Sequence, residues 1–221
     1  MPKPIKSFSK RRDFSNKLLP QHADEVEKLT QRLVDGSLDL ISWQVEMKKL
    51  IKNGHFMQLI TALGGNRSEL SAKQLGTMAR DVRSQYKFLA GFANDLRLAE
   101  KAGKSLGFAV NRARMYAHAS QLTFWKGAIP VKIPQVPRDG KTQCKTNCKC
   151  LLDVKYEIKS GVKVAVLVTW ILNTAEHCPD CVKLSREWSP LRLVIKDSKQ
   201  SLSTRQALWF MERFNERKKM A

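Results

Sequence analysis

The sequence predicts a mainly α protein with a small β module near its C-terminus. Three observations predict it. Apolar residues recur three and four apart from residue 23 to residue 125, all five cysteines fall between residues 144 and 181, and between the two cysteine groups the pattern changes to alternation. A fourth feature divides the chain: Pro130, Pro134 and Pro137 follow Gly127 closely, and such a run forbids helix and favours a stiff, extended connector.

Residues 1–19 carry Lys3, Lys6, Lys10, Arg11, Arg12 and Lys17 with almost no acid, which reads as a flexible basic arm. Such an arm is either a tether onto nucleic-acid phosphates or an acidic neighbour, or a solvated tail. No apolar stretch follows it, so it does not read as a secretory signal.

Pro20 opens the helical domain, residues 20–127. Val26, Leu29, Leu33 and Val34 form the first stripe, which Asp35-Gly36 ends. Ser37 or Asp39 caps a second helix with Leu40, Trp43, Met47, Leu50 and Ile51 on one face, and Asn53-Gly54 breaks or kinks it. Phe56, Leu59, Ile60 and Leu63 resume the pattern up to the turn at Gly64-Gly65-Asn66. A third helix starts at Ser68 or Ser71, places Leu75, Met78, Val82, Tyr86, Leu89, Phe92 and Leu96 inward, and ends before Gly103. The fourth runs from Leu106 to about Trp125. Arg80, Arg83, Arg97, Arg112 and Arg114 decorate the last two helices and read as a solvated face.

Residues 128–202 form the connector and the β module. Residues 150–158 and 162–172 alternate around Ser160-Gly161, a hairpin pattern. Residues 184–188 read as a short helical turn and 191–195 as one more strand. Residues 203–221 read as an amphipathic basic helix with Leu208, Trp209, Met211 and Phe214 on one side.

The cysteines lie at the two ends of the hairpin. Cys178-Pro179-Asp180-Cys181 has the spacing that turns two sulfurs towards one ion, and Cys144, Cys148 and Cys150 supply the other half. Zinc, a borderline-soft cation of tetrahedral habit, suits four thiolates, so the module reads as zinc-ribbon-like with a structural zinc site. Cys144, Cys148, Cys178 and Cys181 are the preferred set. Cys150 can replace Cys148, because residues two apart on a strand point the same way. His177, adjacent to the knuckle, reads as a neighbour of the site, with a substitute ligand as the alternative. A thioredoxin-type redox pair is the competing reading, but it requires a parallel βαβ setting that the pattern lacks.

Charge sets the partner class. Forty Lys and Arg against 20 Asp and Glu leave a net charge of +20, which attracts polyanions: nucleic acid, or acidic protein neighbours in an assembly. No run of eighteen apolar residues is present, so no membrane span is expected. Clustered cysteines of odd number favour thiolates in a reducing cytoplasm over disulfides. The sequence holds no glycine-rich phosphate loop, no His-Glu-x-x-His helix and no serine nucleophile between glycines. The four histidines are scattered, so the chain does not read as an enzyme.

The segments AVNRARMYAHASQLTFWKGA, VPRDGKTQCKTNCKCLLDV and EHCPDCVKLSREWSP, with the hairpin between the last two, resemble the cysteine-bearing part of phage minor head (head morphogenesis) proteins. Those proteins commonly carry a D-G-x-T-x-C-x3-C-x-C block and a C-x-x-C block followed by W-x-P. The matching positions are Asp139, Gly140, Thr142, Cys144, Asn147, Cys148, Cys150, His177, Cys178, Cys181, Trp188 and Pro190. The likeness covers roughly residues 108–190 and does not reach the N-terminal helices. It implies a virion component assembled in the host bacterial cytoplasm that docks on capsid or portal proteins, and it does not imply an enzyme; the basic charge fits a component facing packaged DNA and fits acidic neighbours as well. A stand-alone nucleic-acid-binding zinc ribbon and a head-to-tail connector component are the alternatives.

Overall fold

A computed structural model describes residues 5, 7–65, 70–144, 148–173 and 176–195. Lys3, Lys6 and the expected helix at 203–221 lie outside the described residues. The described chain is mainly helical with a small antiparallel sheet: α1 (Phe8–Val34), α2 (Leu40–Ala62), α3 (Ala72–Lys101), α4 (Phe108–Ala119), α5 (Gln121–Ala128), β1 (Leu151–Lys159), β2 (Val162–Ile171), α6 (Pro179–Glu187) and β3 (Leu191–Val194).

The N-terminal segment corrects the expectation of a flexible arm. Residues 8–19 form the first three turns of α1, with Phe8, Ser15 and Leu19 buried. These positions extend the inward stripe of Ala23, Val26, Thr30 and Leu33 back along the helix, while Lys10 and Lys17 stay in water. Phe8 packs its ring against Phe124 and Trp125, with centroids 6.2 Å and 6.4 Å away. Ser15 Oγ donates to Gln58 Oε1 at 2.6 Å, a polar contact that hides the stripe from a purely apolar reading. Pro20 stands on the exposed side inside α1 and does not open it, so packing on both flanks outweighs the one lost backbone hydrogen bond.

Asp39 caps α2, its carboxylate accepting from the Ile41 and Ser42 backbone N–H groups, each at 2.9 Å. The helix then runs unbroken through Asn53-Gly54. Gly54 is there for close approach: a Cβ at this position would lie 2.2 Å from His22 Nε2 of α1. Ser71 and Gln74 form a capping box at the start of α3. The single helix expected from Leu106 to Trp125 is two, α4 and α5, parted at Ser120, whose Oγ donates to the Ala117 carbonyl at 2.7 Å.

The sheet has the order β1-β2-β3, with Leu152 opposite Trp170 and Val154 opposite Val168. Ser160 (φ 49°) and Gly161 (φ 78°) both take left-handed conformations, which matches the twist of a tight hairpin. Leu152, Val154, Val166, Val168 and Trp170 are buried and join Phe8, Phe124, Trp125 and Ala128 in one apolar cluster. The helical part and the β module thus share a core across the proline-rich connector. A second cluster, around Trp43, Met47, Leu89, Phe92 and Tyr116, holds α1 to α4 together.

Candidate metal centre

Two loops and one helix start build the cysteine site. On the first loop, Asp139 accepts from the Val136 N–H at 3.1 Å and the Lys141 N–H at 3.0 Å, folding the chain back before Cys144. Thr142 Oγ1 lies 3.2 Å from Cys144 Sγ. Cys148 and Cys150 then lead into β1, both buried. On the other side Cys178 stands at the N-cap of α6, with Pro179 in the first turn and Cys181 one turn in.

The two loops are sewn together next to the sulfurs. Asp180, in the first turn of α6, accepts from the Gln143 N–H at 2.8 Å, a link across 37 residues. Trp188, beyond the end of α6, accepts from the Trp170 N–H at 3.1 Å through its carbonyl, and the two indoles meet edge to face at 5.6 Å. These contacts fix α6 against β2.

The sulfurs converge as a result. Cys181 Sγ lies 3.6 Å from Cys144 Sγ and 3.6 Å from Cys148 Sγ. Cys178 Sγ lies 3.6 Å from Cys144 Sγ. Cys144, Cys148 and Cys181 all sit within 4.8 Å of one another and could hold a metal ion. Cys150 Sγ lies 3.7 Å from His177 Nδ1 and is also hydrogen-bonded to the Cys148 and Cys181 thiols, while His177 Nε2 donates to the Asn173 carbonyl at 2.5 Å. Of the five predicted thiols, three make a compact group; Cys178 adjoins it through Cys144 and Cys181, and Cys150 through Cys148 and Cys181, with His177 on its other side.

Electrostatics separates these thiols. Burial pushes the Cys144 and Cys181 thiols up. Cys148 is pushed up by its hydrogen bond with Cys150, and then by burial. Cys178 is held below the ordinary range: burial opposes ionisation, but backbone donors at Cys181 and Cys144 and the thiols of both outweigh it. A cation binding here displaces protons, so its affinity falls with acid.

One residue missed from the sequence sits close behind the thiols. Arg138 is buried, with a left-handed backbone (φ 69°), and its guanidinium donates to Gln121 Oε1. Burial lowers its pKa, while Cys148 and Cys150 pull the other way. A single arginine in a proline-rich connector of a basic chain gives no sequence signal.

Of the basic residues expected to meet nucleic acid, Arg11 and Arg12 make internal contacts. Arg11 donates to the Ala62 carbonyl at the end of α2, and Arg12 reaches the Leu152 carbonyl and Asp153 Oδ1 of β1, each at 3.4 Å. Both arginines are partly buried and tie α1 to its neighbours. Lys10 and Lys17 are exposed.

Comparison with protein-family models, curated proteins and solved structures gives no match. Among the described residues, no helix is long and apolar enough to cross a membrane.

Proposed function

We propose that the chain is a structural protein of a phage particle, of the minor head type, whose cysteine module is clamped by one zinc ion. The observation that carries this reading is that the residues of the two resemblance blocks meet at one place. Asp139 and Thr142 shape the loop at Cys144, Trp188 fastens α6 to β2, and the sulfurs of both blocks come to 3.6 Å spacing.

Zinc fits the donor set. Tetrahedral thiolates bonded at about 2.3 Å lie about 3.8 Å apart, close to the spacings found here. Cys144, Cys148, Cys181 and Cys178 would hold the ion. Four thiolates around Zn²⁺ carry a net charge of −2, and the Arg138 guanidinium beside them offsets part of it. Such a closed sulfur shell offers no place for a substrate, so the ion's work is to staple a three-stranded ribbon whose own core is small. The helical part then presents its outer faces to capsid or portal neighbours, and the particle is assembled in the infected bacterial cytoplasm.

Mass spectrometry of purified particles tests the virion role. The chain is expected at a fixed copy number relative to the major capsid protein; recovery only from the unassembled lysate fraction overturns it. Elemental analysis of the isolated protein tests the metal separately, with about one zinc per chain expected. A folded, metal-free protein that takes up no zinc would falsify that half.

A further inference from the structure

The long helix α3 carries a line of cations that no carboxylate among the described residues neutralises. At about 100° per residue, Lys73, Arg80, Arg83, Lys87 and Lys101 fall within about 40° of one line facing away from the buried Met78, Val82, Leu89, Phe92 and Leu96. Arg97 lies beside that line, and all six side chains are exposed. At a rise of about 1.5 Å per residue the line is about 40 Å long.

The acids of the same helix are turned aside. Asp81 is taken by Lys126 and Asp95 by Arg112, each at 2.7 Å, on the flank of α3. Glu100 points about 140° from the line. Among the described residues, no carboxylate lies in ion-pair range of any of the six cations. On the other long helices some cations are paired, Lys28 with Asp24 on α1 and Lys49 with Glu46 on α2, while Glu27 of α1 takes Arg114.

A second observation concerns the same line. Gly76 and Gly91 lie within it, both exposed in the helix interior, where glycine weakens a helix relative to alanine. A Cβ at either would meet nothing within 4 Å, so no internal packing calls for them, in contrast to Gly54. With Ala90 and Asn94 they leave the space low from Lys73 to Asn94; the exposed Leu98 stands in the line only near its end at Lys101. A ridge with charges standing above a smooth floor suits a backbone that approaches closely.

We propose that the outer face of α3 binds the phosphate backbone of duplex DNA without reading its sequence. Arginine and lysine reach phosphate oxygens, and the counterions they release drive the association. This moves the DNA contact from the N-terminal basic residues, two of which are spent on internal contacts, to the middle of the chain. The proposal stands whether or not the protein belongs to a virion.

The test uses the full chain and two unrelated duplexes of about 30 base pairs, with binding followed by fluorescence anisotropy over a salt series. The Arg80→Gln/Arg83→Gln/Lys87→Gln variant should lower the slope of log K against log salt by about 2 to 3, because each phosphate no longer neutralised takes about 0.9 from it. The Lys28→Gln/Lys48→Gln/Lys52→Gln variant, which removes as much charge from α1 and α2, should keep most of the wild-type slope. Gly91→Leu should raise the melting temperature yet weaken binding severalfold, an opposition that a purely structural role does not produce. Equal losses in the two triple variants overturn the proposal in favour of diffuse charge. Competition by poly-glutamate as strong as by duplex at equal charge overturns it in favour of an acidic protein partner.

Discussion

Acid should destabilise this protein through His55, and the size of the effect follows from where the ring sits. The imidazole is fully buried on α2; Nδ1 lies 2.7 Å from Thr123 Oγ1, and Nε2 has no hydrogen-bond partner among the described residues. Burial, and after it the charges of His22 and Lys126, lower its pKa from 6.5 to about 4. In the unfolded chain the group returns to about 6.5, so below that pH the unfolded state binds the extra proton and stability falls as pH drops. The loss runs at about 1.4 kcal/mol per pH unit from about pH 6.5, levels off near pH 4, and totals about 3 kcal/mol. Roughly 2 kcal/mol of it is gone by about pH 5. His22, lowered mainly by burial against the pull of Glu25, adds a loss of the same sign. Urea unfolding of the wild type and of His55→Asn between about pH 7.5 and pH 5 isolates the effect. The variant starts less stable, but its curve should be flatter, so the gap narrows by about 2 kcal/mol at about pH 5. Metal release and carboxylate titration act on both proteins alike. Two parallel curves would refute the argument.

The remaining predictions concern packing and the thiols. Cys181→Ser should abolish bound zinc and lower the melting temperature, whereas Cys150→Ser should retain about one zinc per chain; equal loss in both, read by elemental analysis, would return Cys150 to the ligand set. Gly54→Ala should cost about 1–3 kcal/mol in urea unfolding, because the added methyl must displace the His22 ring; a neutral or stabilising result would mean the helices slide apart freely. Phe8→Ala should cost about 3–5 kcal/mol, which a solvated arm would not, and an unchanged unfolding midpoint would restore the arm.

Where periodicity is carried by large apolar side chains, the sequence was sufficient. Trp43, Met47 and Ile51 placed α2, and Leu89, Phe92 and Leu96 placed α3, as their burial bears out. Turn chemistry placed the hairpin at Ser160-Gly161. The first turns of α1 escaped because their inward positions are Phe8, then Ser15, and a buried serine reads as a surface residue until Gln58 is seen facing it. The break at Ser120 escaped because its backbone stays near helical values (φ −61°, ψ −28°) and only its hydrogen bonding changes. At the cysteine site the spacing identified the participants but left Cys148 and Cys150 interchangeable. Only the folded chain groups Cys148 with Cys144 and Cys181, and no local pattern encodes the contact of Asp180 with Gln143, 37 residues apart, that joins the two loops. The outward line on α3 was legible only as scattered arginines; its meaning depended on learning which acids are already engaged.

Phe8 gives the molecule a particular order of assembly. Its ring rests on Phe124 and Trp125 and belongs to the cluster that Leu152 and Trp170 complete. During synthesis the bundle around Trp43 and Phe92 has all its parts once α4 is out, yet the start of α1 must wait for the ribbon before it is covered. Chains halted ahead of β1 would leave those aromatic rings bare and prone to clump. Phe8 thus emerges well before the ribbon that seals it in.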